Sequence, residues 1–337
     1  MTGFPRFHPL HTPGHGVSEE AVCRAGPSLA LVKYWGKSLS GDNLPAAPSL
    51  AVTLGGVHTE TRASLSQADD DTVSVDGAVQ DPARYSFFFD TLRRELGISA
   101  RFRAASTNSF PTSAGLASSS SGFAALTGAC ARAAGCAAST ADLSAIARAG
   151  SASAARSVFG GFVLLPAGAR RAQQVYGPEH WPDLRIVVAV THRAPKAVTS
   201  RRAMEETRAR SPYYFSWIKK SSDLLPGALR ALESRDLELL GETARHSYSL
   251  MHGAILGARP PILYWLPATV SVIHACAAMR AAGVGAWETI DAGPQVKILC
   301  LSKDADAVIA RVGALGGGIQ TILCRPGPGL QYGPGLP

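Results

Sequence analysis

The stretch Pro111–Phe123, Pro-Thr-Ser-Ala-Gly-Leu-Ala-Ser-Ser-Ser-Ser-Gly-Phe, limits what this chain can fold into more than any other. A Pro- and Gly-bearing loop runs into four consecutive serines, Ser118 to Ser121. Beyond them Phe123, Leu126 and Cys130 recur at helical spacing. The pattern predicts a loop entering a helix. Such a junction gathers unpaired backbone N–H groups, the positive end of the helix dipole and several hydroxyls, which together suit a phosphate. No Gly-Lys-Ser/Thr follows the glycine, so this is not a Walker loop and cations must come from elsewhere. The same composition also suits a Ser-rich linker before a helix, and the loop alone does not decide between them.

The chain carrying this loop has 337 residues, enough for two domains of moderate size, and 46% hydrophobic residues, enough to pack them. Its formal charge of +8 admits nucleic acid, a membrane surface or an acidic metabolite as partner. Lys and Arg occur singly or in pairs such as Arg201-Arg202 and Lys219-Lys220, without a long basic run or an aromatic RNA-binding signature. That distribution sets a nucleic-acid partner behind an anionic metabolite. Six cysteines with no Cys-x-x-Cys pair read as reduced, buried thiols rather than a disulfide framework or a zinc site. The opening residues hold no secretory signal and no run reaches membrane-spanning length, so a cytoplasmic protein without a membrane partner is expected.

Residues 1–22, rich in His and Pro, read as an irregular extension. Leu29–Val32 predicts a strand that stops at Lys33-Tyr34-Trp35-Gly36-Lys37. Alternation at Leu50, Val52 and Leu54 predicts another, and Asp76-Gly77 marks a hairpin. Helices are expected over Tyr85–Leu96, after Ser118, and behind the capping box Ser139-Thr140-Ala141-Asp142. Leu184–Val190 reads as a buried strand and Thr191–Pro212 as a polar, basic segment. Helical stretches follow through Trp217 and Leu225, over Leu237–Leu250, Val270–Ala281 and Asp304–Leu315, with a strand at Gln295–Leu301. The expected division is an N-terminal domain over 23–190, a C-terminal domain over 191–325 and a flexible tail over 326–337.

Three further segments could carry chemistry. Lys33–Lys37 packs two ammonium groups and two aromatics into one loop, which fits a phosphate cradle with Tyr34 adding a hydroxyl and Trp35 a wall, or a strand end with snorkelling lysines. Gly150–Ser157 sets small residues and hydroxyls around Arg156, which can grip a carboxylate or phosphate, or simply allow close helix packing. Asp291, between an apolar lead-in and Gly293-Pro294, suits a general base and equally an ordinary turn. The histidines show no metal-ligand spacing.

In their combination and order these segments resemble the mevalonate diphosphate decarboxylase family of the GHMP kinase superfamily, over most of the chain from about Cys23 to Cys324. The superfamily's ATP loop, Pro-x-x-x-Gly-Leu-x-Ser-Ser, matches Pro111–Ser119, and Lys33–Lys37 and Asp291–Pro294 narrow the choice of member. The resemblance implies an α+β, two-domain GHMP-kinase-like fold, with a nucleotide loop in the N-terminal domain and Asp291 on a C-terminal helix/sheet domain. It implies ATP and Mg²⁺ as cofactors, mevalonate diphosphate as the small-molecule substrate, and a lyase of isoprenoid biosynthesis that phosphorylates the 3-hydroxyl and then releases phosphate and carbon dioxide. Homodimers are common in the family.

By the same resemblance Asp291, Lys33 and Arg156 are catalytic, and Tyr34, Trp35, Lys37, Ser151, Ser153, Arg156 and Arg201 bind substrate. Ser106, Asn108, Pro111, Gly115, Leu116, Ala117, Ser118, Ser119, Ser121 and Ser200 bind ATP, and Ser119 holds Mg²⁺. The order Thr199-Ser200-Arg201 looks like the bacterial form of the family. Ser28, Ala47 and Gln295 stand where asparagine is usual, and Ala155 replaces a frequent cysteine; lost amides near a polar pocket leave room for altered substrate preference. A monophosphate decarboxylase and a mevalonate 3-kinase therefore stay open beside the diphosphate enzyme.

Overall fold

A computed structural model describes residues 20–38, 43–111, 116, 118–194 and 196–333. In chain order the elements are β1 (Ala21–Ala25), β2 (Ser28–Val32), β3 (Ser49–Gly55), β4 (Thr59–Ser66), β5 (Thr72–Val75), β6 (Ala78–Val79), α1 (Ser86–Leu96), β7 (Arg101–Asn108), α2 (Ser118–Ala133), α3 (Thr140–Gly150), α4 (Ala154–Ser157), β8 (Phe162–Leu165) and β9 (Gln173–Tyr176). They continue as β10 (Leu184–Val190), α5 (Ser200–Arg210), α6 (Tyr214–Ser234), α7 (Leu237–Leu256), α8 (Pro267–Ala281), β11 (Trp287–Thr289), β12 (Val296–Leu301), α9 (Ala305–Gly313), β13 (Gln320–Pro326) and β14 (Gln331–Tyr332). Strands and helices mix in an α+β arrangement. Among the described residues no helix is long and apolar enough to cross a membrane.

One sheet runs in the order β14-β1-β4-β7-β5-β6. Along β7 burial alternates, with Phe102, Ala104 and Ser106 turned inward, as a half-covered strand requires. The covering element is α2, whose Phe123, Ala125, Leu126, Ala129 and Cys130 are buried. Small residues let it lie close: a side chain at Gly128 would press on Cys23 Sγ, and one at Gly150 of α3 on the Phe123 ring. The Ser139 hydroxyl caps α3 by accepting from the Asp142 N–H.

The second sheet runs β11-β12-β10-β13-β3-β8-β9, with β2 also on β3. It passes through both halves of the molecule, because Arg325 and Pro326 of β13 pair with Gly55 and Leu54 of β3. Its core joins Leu29, Leu50 and Val52 to Ile186, Leu232, Leu240 and Leu299. Strand β10, at whose end the sequence suggests a cut, has both its partners, β12 and β13, in the C-terminal half.

Three expectations change. The polar segment Thr191–Pro212 contains a helix, α5, which has only Ala203 and Thr207 buried and so shows little apolar periodicity; Thr199 caps it by accepting from the Arg202 N–H. The segment after Arg325, expected as a loose tail, is tied down as far as Gly333. The Gly327 N–H donates to Thr53 O, Gly161 N–H donates to Gly327 O, and Tyr332 pairs with Cys23. Its glycines serve close approach rather than looseness, since a Cβ at Gly327 would lie 2.4 Å from the Gly55 nitrogen. The irregular extension expected over 1–22 ends sooner, because Ala21 and Val22 already pair with β4 as the start of β1; residues 1–19 and 334–337 lie outside the described residues.

Candidate active site

Strand β2 delivers one half of the site. Just past its end Lys33 folds back, with Nζ donating to Ala30 O at 2.7 Å and its backbone N–H to Ser247 Oγ of α7 at 2.8 Å. The other half is the turn between β11 and β12. Gly293 takes φ +95°, where a side chain would be strained, and the turn is pinned by Thr269 and Thr191, whose hydroxyls donate to Pro294 O. His252 of α7 donates through Nε2 to Asp291 O at 2.8 Å. Helix α7 thus holds both half-sites.

Between them the Asp291 carboxylate meets two ammonium groups, Lys33 Nζ at 2.8 Å from Oδ1 and Lys297 Nζ at 3.1 Å from Oδ2. The lysine side chains are 1% and 2% exposed, whereas Asp291 keeps 26%, so the carboxylate is the accessible member of the trio. Burial pushes the Asp291 carboxyl up, but the two lysines outweigh it and hold it well below the usual carboxylate range. Burial pulls Lys33 down to about 8, with Asp291 offsetting part of the drop. Lys196, which is exposed, lies within electrostatic reach of Lys297 and Asp291. His252 is driven by burial to about 4 and is neutral at physiological pH.

Arg156, on α4, is 2% exposed and lies within electrostatic reach of Asp291 and Tyr34. Its Nε donates to Ser28 Oγ at 3.1 Å and Nη1 to Ser49 Oγ at 2.5 Å, which fixes the guanidinium plane. Ser28 also ties this arginine to the loop helix, because its N–H donates to Ser120 Oγ at 3.0 Å. The serine standing where an amide was expected therefore links α2, β2 and Arg156.

Ser120 and Ser121 are buried and turned into the scaffold. Ser121 pairs with Thr59 at 2.6 Å, and Thr59 donates to Asn108 Oδ1 at 2.7 Å. Asn108 is further bound by Asp76, and Ser106 pairs with Thr61 at 2.8 Å. The side chains of Ser106, Asn108 and Ser121 therefore shape the loop's mooring. Ser118 and Ser119 stand in the first turn of α2, with Ser119 half-buried; Pro111 is exposed, and Leu116 is core. Gly115 and Ala117 lie outside the described residues.

Arg156 and Arg201 both lie within electrostatic reach of Tyr34, and Arg201, Glu205 and Arg208 lie within electrostatic reach of Lys37. The Ser151 and Ser153 hydroxyls pair at 2.9 Å, and Ser200 opens α5. Trp35, expected as a pocket wall, is a core residue at 3% exposure: its indole donates to Thr207 Oγ1 and packs with Trp217 and Tyr214. An aromatic ring in a cationic loop reads as a wall in sequence, but here the apolar side of the loop faces α5 and α6. Gln295 braces the turn by accepting from the Thr191 N–H at 2.5 Å and donating to His192 O, and Ala47 is buried.

Sequence reasoning missed Lys297, Ser247, Ser49 and the bracing role of His252. Of these only Lys297 left a signal, a lysine inside an otherwise apolar strand.

The whole arrangement is a water-accessible carboxylate set among buried cations and tied to α2 through Arg156, Ser28 and Ser120, suited to a polyanionic ligand and to proton acceptance from a hydroxyl. A model for the diphosphomevalonate decarboxylase-like N-terminal domain matches residues 25–176, and one for the mevalonate 5-diphosphate decarboxylase C-terminal domain matches 186–319. The diphosphomevalonate decarboxylase of Gibberella zeae is 33% identical over 327 residues, spanning 87% of this chain and 85% of that protein. A solved complex of MDDEF with MVAPP, AMPPCP and magnesium superposes with a TM-score of 0.86 at 32% identity, covering 93% of this chain and 98% of that one. The mevalonate diphosphate decarboxylase of Staphylococcus aureus gives 0.87 at 32% identity, covering 93% and 97%. Since the first matched region holds Lys33 and Arg156 and the second holds Asp291 and Lys297, the site straddles both, and this chain belongs to the diphosphomevalonate decarboxylase family.

Proposed function

We propose that this chain catalyses the ATP-dependent decarboxylation of 5-diphosphomevalonate to isopentenyl diphosphate, ADP, phosphate and carbon dioxide, with Asp291, Lys33 and Arg156 at its centre. The observation that carries the assignment to these residues is the Lys33–Asp291 ion pair beside Arg156. A relative of similar fold was solved with MVAPP, AMPPCP and magnesium together, which supports the same set of ligands here.

The substrate's tertiary hydroxyl must lose a proton as it becomes a phosphate ester. Asp291, accessible and kept ionised by two lysines, accepts that proton. Strong basicity is not needed, because a loose phosphoryl transition state takes the proton late. Lys33 sits where charge develops on the reacting oxygens. Arg156 aligns the substrate carboxylate; when the new phosphate leaves, positive charge builds at the tertiary carbon and the carboxylate departs as carbon dioxide. Tyr34, Lys37, Ser151, Ser153 and Arg201 hold the remaining anionic groups. Ser118 and Ser119 in the first turn of α2, with Ser200 at the start of α5, suit the ATP phosphates. Ser119 would offer Mg²⁺ a neutral oxygen of the kind it takes alongside substrate phosphates, and the chemistry the ion would supply is neutralisation of phosphoryl charge. A cytoplasmic homodimer completes the proposal, its assembly to be read by sedimentation.

The test is a panel of mevalonate, its 5-phosphate and its 5-diphosphate with ATP and Mg²⁺, following ADP and carbon dioxide. Equimolar ADP and carbon dioxide from the diphosphate alone is expected. ADP without carbon dioxide from every substrate would make the protein a kinase, and turnover of the monophosphate would move it to the neighbouring decarboxylase.

A further inference from the structure

Strand β12 is paired on both edges, with Lys297 opposite Val188 of β10 and Thr289 of β11. Its neighbours along the strand, Val296 and Ile298, are fully buried. A lysine buried inside such a sheet is costly, because an ammonium group loses its hydration there unless a counter-charge is at hand. The counter-charge for Lys297 is Asp291, the residue assigned to the chemistry, which Lys33 already neutralises from its other oxygen. A structural ion pair needs one lysine, and this carboxylate has two, on separate oxygens and from separate elements.

We propose that Lys297 is a positioning residue of the reaction: by holding Oδ2 of Asp291 it fixes the plane of the carboxylate and keeps it charged, leaving Oδ1, with Lys33, to face the substrate hydroxyl. The inference rests on the role given to Asp291 above. The charged and titratable groups around Asp291 are Lys33 after β2, Lys297 on β12, His252 on α7, whose ring bonds the Asp291 carbonyl, and Lys196 and Arg156 within electrostatic reach. Among these groups the two lysines Lys33 and Lys297 touch the carboxylate, so removal of Lys297 frees one oxygen and withdraws one of two contacting cations. A misplaced carboxylate costs rate rather than binding, on the order of a hundredfold for a displacement of about 1 Å.

The experiment measures kcat and KM against pH for the full chain and its Lys297→Met, Lys297→Gln and Lys297→Arg variants, with 5-diphosphomevalonate, ATP and Mg²⁺. Lys297→Met is expected to lower kcat by about tenfold to a hundredfold with both KM values little changed, and to move the acid limb of the kcat profile to higher pH. Lys297→Gln, which keeps a hydrogen-bond donor without the charge, should move the limb as far while losing less rate. Lys297→Arg should restore the limb. Should the methionine variant not fold, the glutamine and arginine variants decide the matter by the same limb. Wild-type kcat and acid limb in folded Met or Gln variants would overturn the proposal, as would a rise in KM for the diphosphate at unchanged kcat, which would make Lys297 a binding cation. Asp291→Asn is run alongside: if it stays active the role of Asp291 itself fails, whereas an inactive Asp291→Asn with normal Lys297 variants fails this inference alone.

Discussion

Lys33 Nζ and Asp291 Oδ1 lie 2.8 Å apart across 258 positions of sequence, and their bond joins the two halves of the molecule at the point where the chemistry is assigned. Replacing Asp291 by Asn keeps the shape and leaves two buried ammonium groups without their anion. ADP formation and carbon dioxide release should fall together by roughly 10²–10⁴, and urea denaturation should show a loss on the order of 3 kcal/mol. Retention of most turnover would remove Asp291 from the reaction.

The buried guanidinium of Arg156 is gripped by Ser28 and Ser49, so its charge and its orientation can be tested apart. Arg156→Lys keeps the charge and loses the fork. KM for the diphosphate substrate should rise by about tenfold or more while KM for ATP stays within about twofold. A rise confined to ATP would place Arg156 on the nucleotide instead.

His252 supplies a pH dependence with a definite sign. Burial takes its imidazole from 6.5 to about 4 on folding. Between those values the unfolded chain binds the proton and the folded chain does not, so the stability is fully present above 6.5 and is lost as pH falls towards 4. His252→Gln, whose amide can still donate to the Asp291 carbonyl, should flatten the pH dependence of the unfolding free energy across that window. An unchanged slope would show that His252 is not buried neutral.

Gly36 adopts φ +109°, and a Cβ there would lie 2.3 Å from the Tyr214 hydroxyl oxygen. Gly36→Ala should lower stability by about 2 kcal/mol or more, through both contact and backbone strain. The Tyr214 hydroxyl is buried without a hydrogen-bond partner among the described residues, so Tyr214→Phe should be neutral or slightly stabilising in thermal melts. A marked loss on Tyr214→Phe would reveal a partner for that hydroxyl.

Much of this was legible in the sequence because it rests on local rules. The helix behind the serines, the Asp76-Gly77 hairpin, the Ser139 cap and the apolar strand Leu184–Val190 follow from spacing and turn chemistry. The resemblance supplied Lys33, Arg156 and Asp291 as candidates, and folding places them within electrostatic reach of one another. What stayed hidden depends on partners distant in sequence. Ser247 and His252 sit on an ordinary amphipathic helix whose facing loops no local pattern names. Trp35 reads as a wall until α5 and α6 are seen to cover it, and no local pattern shows that Ser28 and Thr59 meet the hydroxyls of Ser120 and Ser121.

The pairing of β14 with β1 bears on how the chain reaches this fold. Cys23, near the beginning of the described residues, finds its β14 partner only at Tyr332, and β3 finds β13 only at Arg325 and Pro326. Contacts between such distant residues carry a large loop-closure cost before they return any stabilisation, which slows folding. The β1 side of the first sheet must therefore wait for a strand made long after it, and during that interval β1 is an edge open to pairing with another chain.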